Sequence, residues 1–228
     1  VEGDVFLEGR PLEPGSTKLE SLQIGERLRT GNGRAEIVLA SGRMLRLDRQ
    51  AEVEMLADDL LAPELRLHSG SVIVEWTDIF GDGEALIRHA DGDVRLRKAG
   101  RYRVDAEEGL TAELRVFDGK AWVQDEARSR SVGKRRLLAL AEPDGKPEKF
   151  DAEDLDGFDR WNLRRSRIVA RGNRQARRGE GRGGRGGIGR GRRGGRRGGL
   201  GGGLGDASRR TPGRGGGIGR VPGASNRF

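Results

Sequence analysis

The chain has 228 residues, 33% of them hydrophobic and 35% charged, with no cysteine, two histidines (His68 and His89) and a single tyrosine, Tyr102. This composition excludes disulfides, thiol nucleophiles and Cys-ligated zinc. It offers no run of about 18 apolar residues for a membrane-spanning helix. Charge is divided along the chain: residues 172–228 hold 15 arginines, no lysine and two acids (Glu180 and Asp206), a net +13, whereas the 171 residues before them carry a net −5.

The acidic body reads as strands. Glu2-Gly-Asp-Val5 opens a first apolar strand, and its glycine-to-valine spacing is echoed at Gly70-Ser-Val72. Alternation with period two is clean in Arg34-Ala-Glu-Ile-Val-Leu39, where Ala35, Ile37 and Leu39 share one face. It recurs at residues 44–47, 65–67, 72–74, 94–96, 102–104 and 114–116, with glycines between the runs at Gly33, Gly42, Gly70, Gly92, Gly100, Gly109 and Gly119. Short alternating segments broken by glycine about every ten residues predict an all-β domain of short antiparallel strands over residues 1–140. Its outward positions are often Arg or Glu, the expected solvent face of such a sheet. Gly25, Gly31, Gly42 and Gly70 are the expected structural turn residues.

Residues 141–171 read as a linker and one helix. From residue 151 to 171 the only glycine is Gly157 and there is no proline. Phe158, Trp161, Arg165 and Ile168 fall on one helical stripe. Acids lead and arginines follow, which suits the helix dipole. Two readings stay open for this amphipathic helix: its aromatic residues pack on the sheet, or the stripe docks a partner.

Residues 172–228 hold 23 glycines in 57 residues, with isolated aliphatics such as Ile188 and Leu200. Such a segment cannot bury enough apolar surface to offset a backbone entropy of about 1–2 kcal/mol per residue. It is expected to be a disordered Gly/Arg-rich tail. Its Arg182, Arg185, Arg190, Arg192, Arg193, Arg196 and Arg197 are candidates for nonspecific polyanion contact. The only aromatic among these residues is Phe228, so base stacking has little to work with.

No catalytic, metal or cofactor site is expected. His68 and His89 lack a second ligand at short spacing. An EF-hand loop around Gly157 would need ligands at Ala152 and Leu163. Gly81-Asp-Gly83 and Asp91-Gly-Asp93 are turn sequences first. Gly181-Arg-Gly-Gly-Arg-Gly186 fits a dinucleotide fingerprint by composition, but no strand precedes it. Ser and Thr occur in no nucleophile motif.

Residues 22–47 resemble the FecR domain. The segment Leu22-Gln-Ile-Gly25-Glu-Arg-Leu28-Arg-Thr30-Gly31 follows that family's pattern of a leucine, then G-x-x-L-x-T-G, and an alternating strand, Gly42 and a second strand come after it. The opening Glu2-Gly-Asp-Val5 with Gly9 looks like the family's first strand and turn. Leu65 to Val72 looks like its later turn, and Arg97 to Val104 like the strand pair that follows. The resemblance covers residues 1–140 and implies a periplasmic, non-catalytic sensor or protein-interaction module. The family's name-giving members relay an outer-membrane iron-uptake signal to a sigma factor through a cytoplasmic helix bundle and a membrane span, and neither is found in this sequence. The expectation is therefore a free-standing exported protein, periplasmic or secreted, with a signal peptide removed before Val1. Its partner would be an envelope protein or polymer, reached without a membrane span. The alternative is an Arg-Gly-tailed nucleic-acid-binding protein.

Overall fold

In a computed structural model of the protein, the described residues are 1–15, 20–77, 83–124, 128–142 and 144–180, the last eight by their backbone alone. The Gly/Arg-rich residues 181–228 lie outside them. Two short strands, β1 (Val5–Leu7) and β2 (Arg10–Pro11), form the opening hairpin. They are followed by β3 (Arg27–Thr30), β4 (Ala35–Ala40), β5 (Arg43–Leu47), β6 (Glu52–Ala57) and a long β7 (Glu64–Trp76). Next come β8 (Ala85–Arg88), β9 (Asp93–Leu96), β10 (Gly100–Ala106), β11 (Glu113–Asp118), β12 (Lys120–Gln124), β13 (Ser129–Gly133), β14 (Arg136–Ala139) and β15 (Glu148–Lys149). One helix, α1 (Gly157–Glu180), ends the described chain. The predicted fold class is therefore observed: an antiparallel β domain followed by one helix, with β7 and β8 as the single parallel pair among the described strands.

The pivot is β7. Its first half pairs with β6 and β8; its second half pairs with β5 and β10. The first half belongs to a sheet ordered β2-β1-β3-β6-β7-β8-β9-β12-β13, and the second to a sheet ordered β4-β5-β7-β10-β11-β14-β15. The two sheets share one apolar core. Val53, Leu65, Leu67, Val94 and Val123 from the first meet Leu45, Leu47, Val72, Val104 and Leu114 from the second.

Strand β7 cannot be straight. Glu64 pairs beside Leu86. A straight strand would put Trp76 about 40 Å from Glu64, whereas ten steps of chain from Trp76 to Leu86 reach about 33–36 Å even when fully extended. Gly70 supplies the bend, with φ of 80°. A Cβ on Gly70 would sit 2.5 Å from the Ala51 Cα and 2.6 Å from the Gln50 carbonyl oxygen. The glycine expected to close a turn between two short strands thus lies inside one strand and redirects it from one sheet to the other.

The remaining turn glycines sit where strands reverse. Gly42 links β4 to β5 with φ of 76°, and Gly25 precedes β3 with φ of 84°. Gly31 lies outside the left-handed region and instead donates its N–H to the Asp4 carbonyl at 2.8 Å. Its neighbour Thr30 is buried, and its hydroxyl donates to the Asp48 carbonyl at 2.6 Å and accepts from the Ala51 N–H at 2.9 Å. The Thr-Gly pair of the FecR-like motif therefore closes β3 onto the loop between β5 and β6.

The helix starts later and runs further than the sequence suggested. Asp156 caps it, its Oδ1 accepting from the N–H groups of Phe158 at 2.8 Å and Asp159 at 2.9 Å. The acids before it, from Asp151 on, lie in turns. Beyond Arg171 the helix-favouring residues Arg174, Gln175, Ala176, Arg177 and Arg178 outweigh Gly172 and continue the helix.

Two glycine substitutions test this geometry. Gly70→Ala places a side chain at positive φ against backbone and should cost about 3–5 kcal/mol. Gly42→Val should cost about 1–2 kcal/mol from backbone strain alone. Urea midpoints should rank wild type above Gly42→Val above Gly70→Ala, and an unchanged midpoint for Gly70→Ala would contradict the bend.

Candidate functional site

The second sheet has one face on the core and one covered by α1. Alternation sends Leu45, Leu47, Val72, Val74, Tyr102 and Val104 inward. Arg46, Ile73 and Arg103 therefore point outward, and register aligns them in one row across β5, β7 and β10. Ile73 is 0% exposed and forms a small apolar cluster with Phe158 and Trp161 of α1. The two helix rings stack at 6.0 Å with 22° between planes. The Arg34 guanidinium lies 5.4 Å from the Trp161 ring centre and 5.7 Å from that of Phe158.

Covering this row buries two arginines. Arg46 is 1% exposed and Arg103 6%. A guanidinium stripped of water is tolerated only when paired and hydrogen-bonded. Arg46 donates to Glu36 and Glu75, both at 2.7 Å, and to the Asn162 side-chain oxygen at 2.6 Å. Arg103 donates to Asp105 at 2.7 Å, Asp156 at 2.6 Å and Asp159 at 3.1 Å. Each arginine thus has partners on the sheet and on or beside the helix. Asp156 serves twice, one oxygen capping the helix and the other holding Arg103.

Further bonds run along the seam. The Trp161 indole donates to Glu2 at 2.9 Å, tying the N-terminal segment under the helix. Asn162 donates to Glu75 at 2.8 Å, and Arg165 to Glu36 at 2.7 Å. Ser166 also donates to Glu75.

The carboxyl groups respond to this setting. Burial pushes Glu36 up, but hydrogen bonds and charge from Arg165 and Arg46 outweigh it and hold the group below the usual 4.5. Burial also pushes Asp156 up, and there the Asp159 N–H and Arg103 prevail, holding it below 3.8. Asp159 goes the other way, raised above 3.8 chiefly by burial and further by the neighbouring Asp156 charge. Burial opposes the charge on Arg103, but the surrounding carboxylates keep its pKa well above the ordinary arginine value.

Of the sequence-derived stripe, Phe158 and Trp161 lie against the chain's own sheet, Arg165 pairs with Glu36, and Ile168 is 56% exposed. The face that meets the sheet runs through Phe158, Trp161, Asn162, Arg165 and Ser166. Arg46, Arg103, Glu36, Glu75 and Asn162 carry the seam, and sequence reading placed none of them. One signal was present in the sequence: Val72-Ile-Val74 has no polar position, and such a run marks a strand covered on both faces. The polyanion candidates from Arg182 to Arg197 lie outside the described residues.

The histidines are used locally. His68 Nε2 sits 2.8 Å from Glu54, and His89 Nδ1 accepts from the Asp91 N–H at 3.1 Å. They line a shallow concavity with Arg66, Arg88 and Asp93. Among the described residues no group of three or more His, Asp or Glu side chains is arranged to hold a metal ion. Nor is any helix among them long and apolar enough to cross a membrane.

No family model matches the chain, and no curated protein matches it. Two crystal structures of a candidate anti-sigma factor from Parabacteroides distasonis are similar over part of their length, at 13% and 12% identity and a TM-score of 0.48 each. The matched region covers 56% of this chain and 61% of that protein.

Two measurements probe the seam. Arg46→Ala leaves Glu36 and Glu75 without their shared cation and should cost about 3–5 kcal/mol, while Arg27→Ala at an exposed pair should cost about 1 kcal/mol or less. The lowered pKa of Glu36 stabilises the fold above pH 4.5, and that contribution is lost as pH falls through its folded value; Asp156 behaves alike below 3.8, whereas the raised Asp159 favours protonation in the fold and works in the opposite sense. Glu36→Gln should therefore flatten the fall in stability below pH 4.5, and a midpoint profile parallel to wild type there would contradict the assignment.

Proposed function

We propose that the chain is a non-catalytic protein-interaction module of the FecR type, working in the periplasm or outside the cell. The observation that carries this reading is the edge formed by β4. Among the described residues that strand pairs with β5 alone, and just before it Arg34 forms a single bridge with Glu2. An unpaired strand edge is a template for an added strand, and soluble domains normally blunt it with charge, proline or cover. In β4 only Glu36 is charged, and it is turned toward Arg46 and Arg165.

Apolar groups flank this edge. Val38 is 68% exposed and Ile168 56%. The helix runs along β4 in the strand's own direction, since Trp161 lies by Arg34 and Arg165 by Glu36. One further helical turn and two further strand residues each advance about 6 Å, which brings the turn of Ile168 beside Val38. A partner that adds a strand to β4 would cover both, a known mode of peptide recognition. The exposed end of the expected docking stripe is thus retained in this reading, with its aromatic half serving the chain's own fold. The resemblance in residues 22–47 supports the same reading, because Thr30 and Gly31 of that motif lock β3 to the loops that position β4.

The test is capture from a bacterial envelope extract with the full chain and with Val38→Asp/Ile168→Asp. Wild type should retain a saturable partner that the double variant loses by about tenfold or more. Equal retention by both, or none by either, would contradict the proposal.

A further inference from the structure

The outer face of α1 carries a second pattern. Arg160, Arg164, Arg167 and Arg171 are all exposed, and at 100° per residue they fall within an arc of about 60°. That arc is opposite Phe158, Asn162 and Arg165, which meet the sheet. The sequence continues the spacing at positions 174 and 178, within the same helix. From position 160 to 178 this makes one arginine per turn over about 27 Å.

Helix electrostatics do not account for this row. Cations suit the C-terminal turn of a helix, yet the row begins at Arg160 in the first turn, at the positive end of the dipole. Like charges three and four residues apart repel, and from position 160 to 179 the helix has no acid to offset them. Arg164, Arg167 and Arg171 have no ion pair among the described residues, while Arg165, one position off the row, is paired with Glu36. Such a row is unfavourable to the helix alone and becomes favourable when an external polyanion lies along it.

We infer that this face binds the phosphate backbone of double-stranded DNA without reading its sequence. The guanidinium fork fits phosphate oxygens. A helix about 10–12 Å across matches a major groove about 12 Å wide, whose two lips carry phosphates on either side. The opposite face of the helix is occupied by the sheet over residues 158–166, so no apolar side is free there to enter a bilayer, as interfacial helices require. The row holds arginine at every exposed position, so each turn offers a fork for phosphate oxygens, and it presents no acceptor or apolar group with which to tell one base pair from another. This site is separate from the β4 edge and stands or falls independently of it.

The test uses the full chain and a 24-base-pair DNA duplex, with affinity followed by fluorescence anisotropy across salt concentrations. Arg164→Gln/Arg167→Gln/Arg171→Gln should bind about a hundredfold more weakly near 0.1 M salt, with a log–log salt slope shallower by about 2.7, or about 0.9 for each phosphate no longer neutralised. Arg10→Gln/Arg49→Gln/Arg66→Gln removes the same charge from exposed positions of the β domain and should weaken binding much less. Circular dichroism should show the helix intact in both variants. Equal weakening in the two triple variants, no weakening in the first, or tighter binding to vesicles of anionic phospholipid than to the duplex would overturn the inference.

Discussion

The described structure depends on the burial of two arginines on either side of one isoleucine. Arg46, Ile73 and Arg103 form a row on the outer face of the second sheet, and α1 exists in its observed place because that row must be covered and paired. An isolated guanidinium in this position would be prohibitive. With Glu36, Glu75 and Asp105 on the sheet, and Asp156, Asp159 and Asn162 from the helix side, each charge is met at hydrogen-bond distance. The apolar contribution is small by comparison: one isoleucine and two aromatic rings. The helix is therefore held by geometry more than by hydrophobic area, and its direction across the sheet is fixed by which carboxylate faces which guanidinium.

That constraint propagates. A helix lying along β4 ties Glu2 through Trp161 and so anchors the N-terminal segment. It covers the face of β4 at Glu36 but leaves Val38 bare and the strand edge unpaired. It also turns a continuous row of arginines to the outside. The two proposed binding surfaces, the β4 edge and the outer helix face, both follow from one docking arrangement. The bend at Gly70 is its counterpart on the inside, since it lets a single strand belong to both sheets and brings Ile73 under the helix.

Much of the fold was legible in the sequence. Alternation and glycine spacing marked the strands because a half-buried strand must alternate, and a good hairpin turn needs a residue tolerant of positive φ, as at Gly42. The helix was legible from Phe158 and Trp161. Its start is less legible because Asp151, Glu153 and Asp154 resemble a favourable first turn, whereas the actual cap, Asp156, is identified by what its oxygens accept. Gly70 looks like a turn in the sequence because local sequence cannot distinguish a reversal from a bend within a strand. The seam was least legible. Arg46 and Arg103 occupy polar positions of alternating strands, where solvent exposure is the default, and their burial depends on a helix more than fifty residues downstream. Only the apolar run at Ile73 hinted at a second covering layer.

Both surfaces require α1 to be part of the β domain's cooperative fold. Native-state hydrogen exchange measures this directly. If the buried arginines hold the helix as described, the amides of residues 161–166 should exchange with protection within about tenfold of those at Val72, Ile73 and Val74 in β7. Exchange in the helix a thousandfold or more faster than in β7, under conditions where β7 stays protected, would contradict it: the helix would then be a detachable segment, and the Arg46–Ile73–Arg103 row a surface for some other occupant.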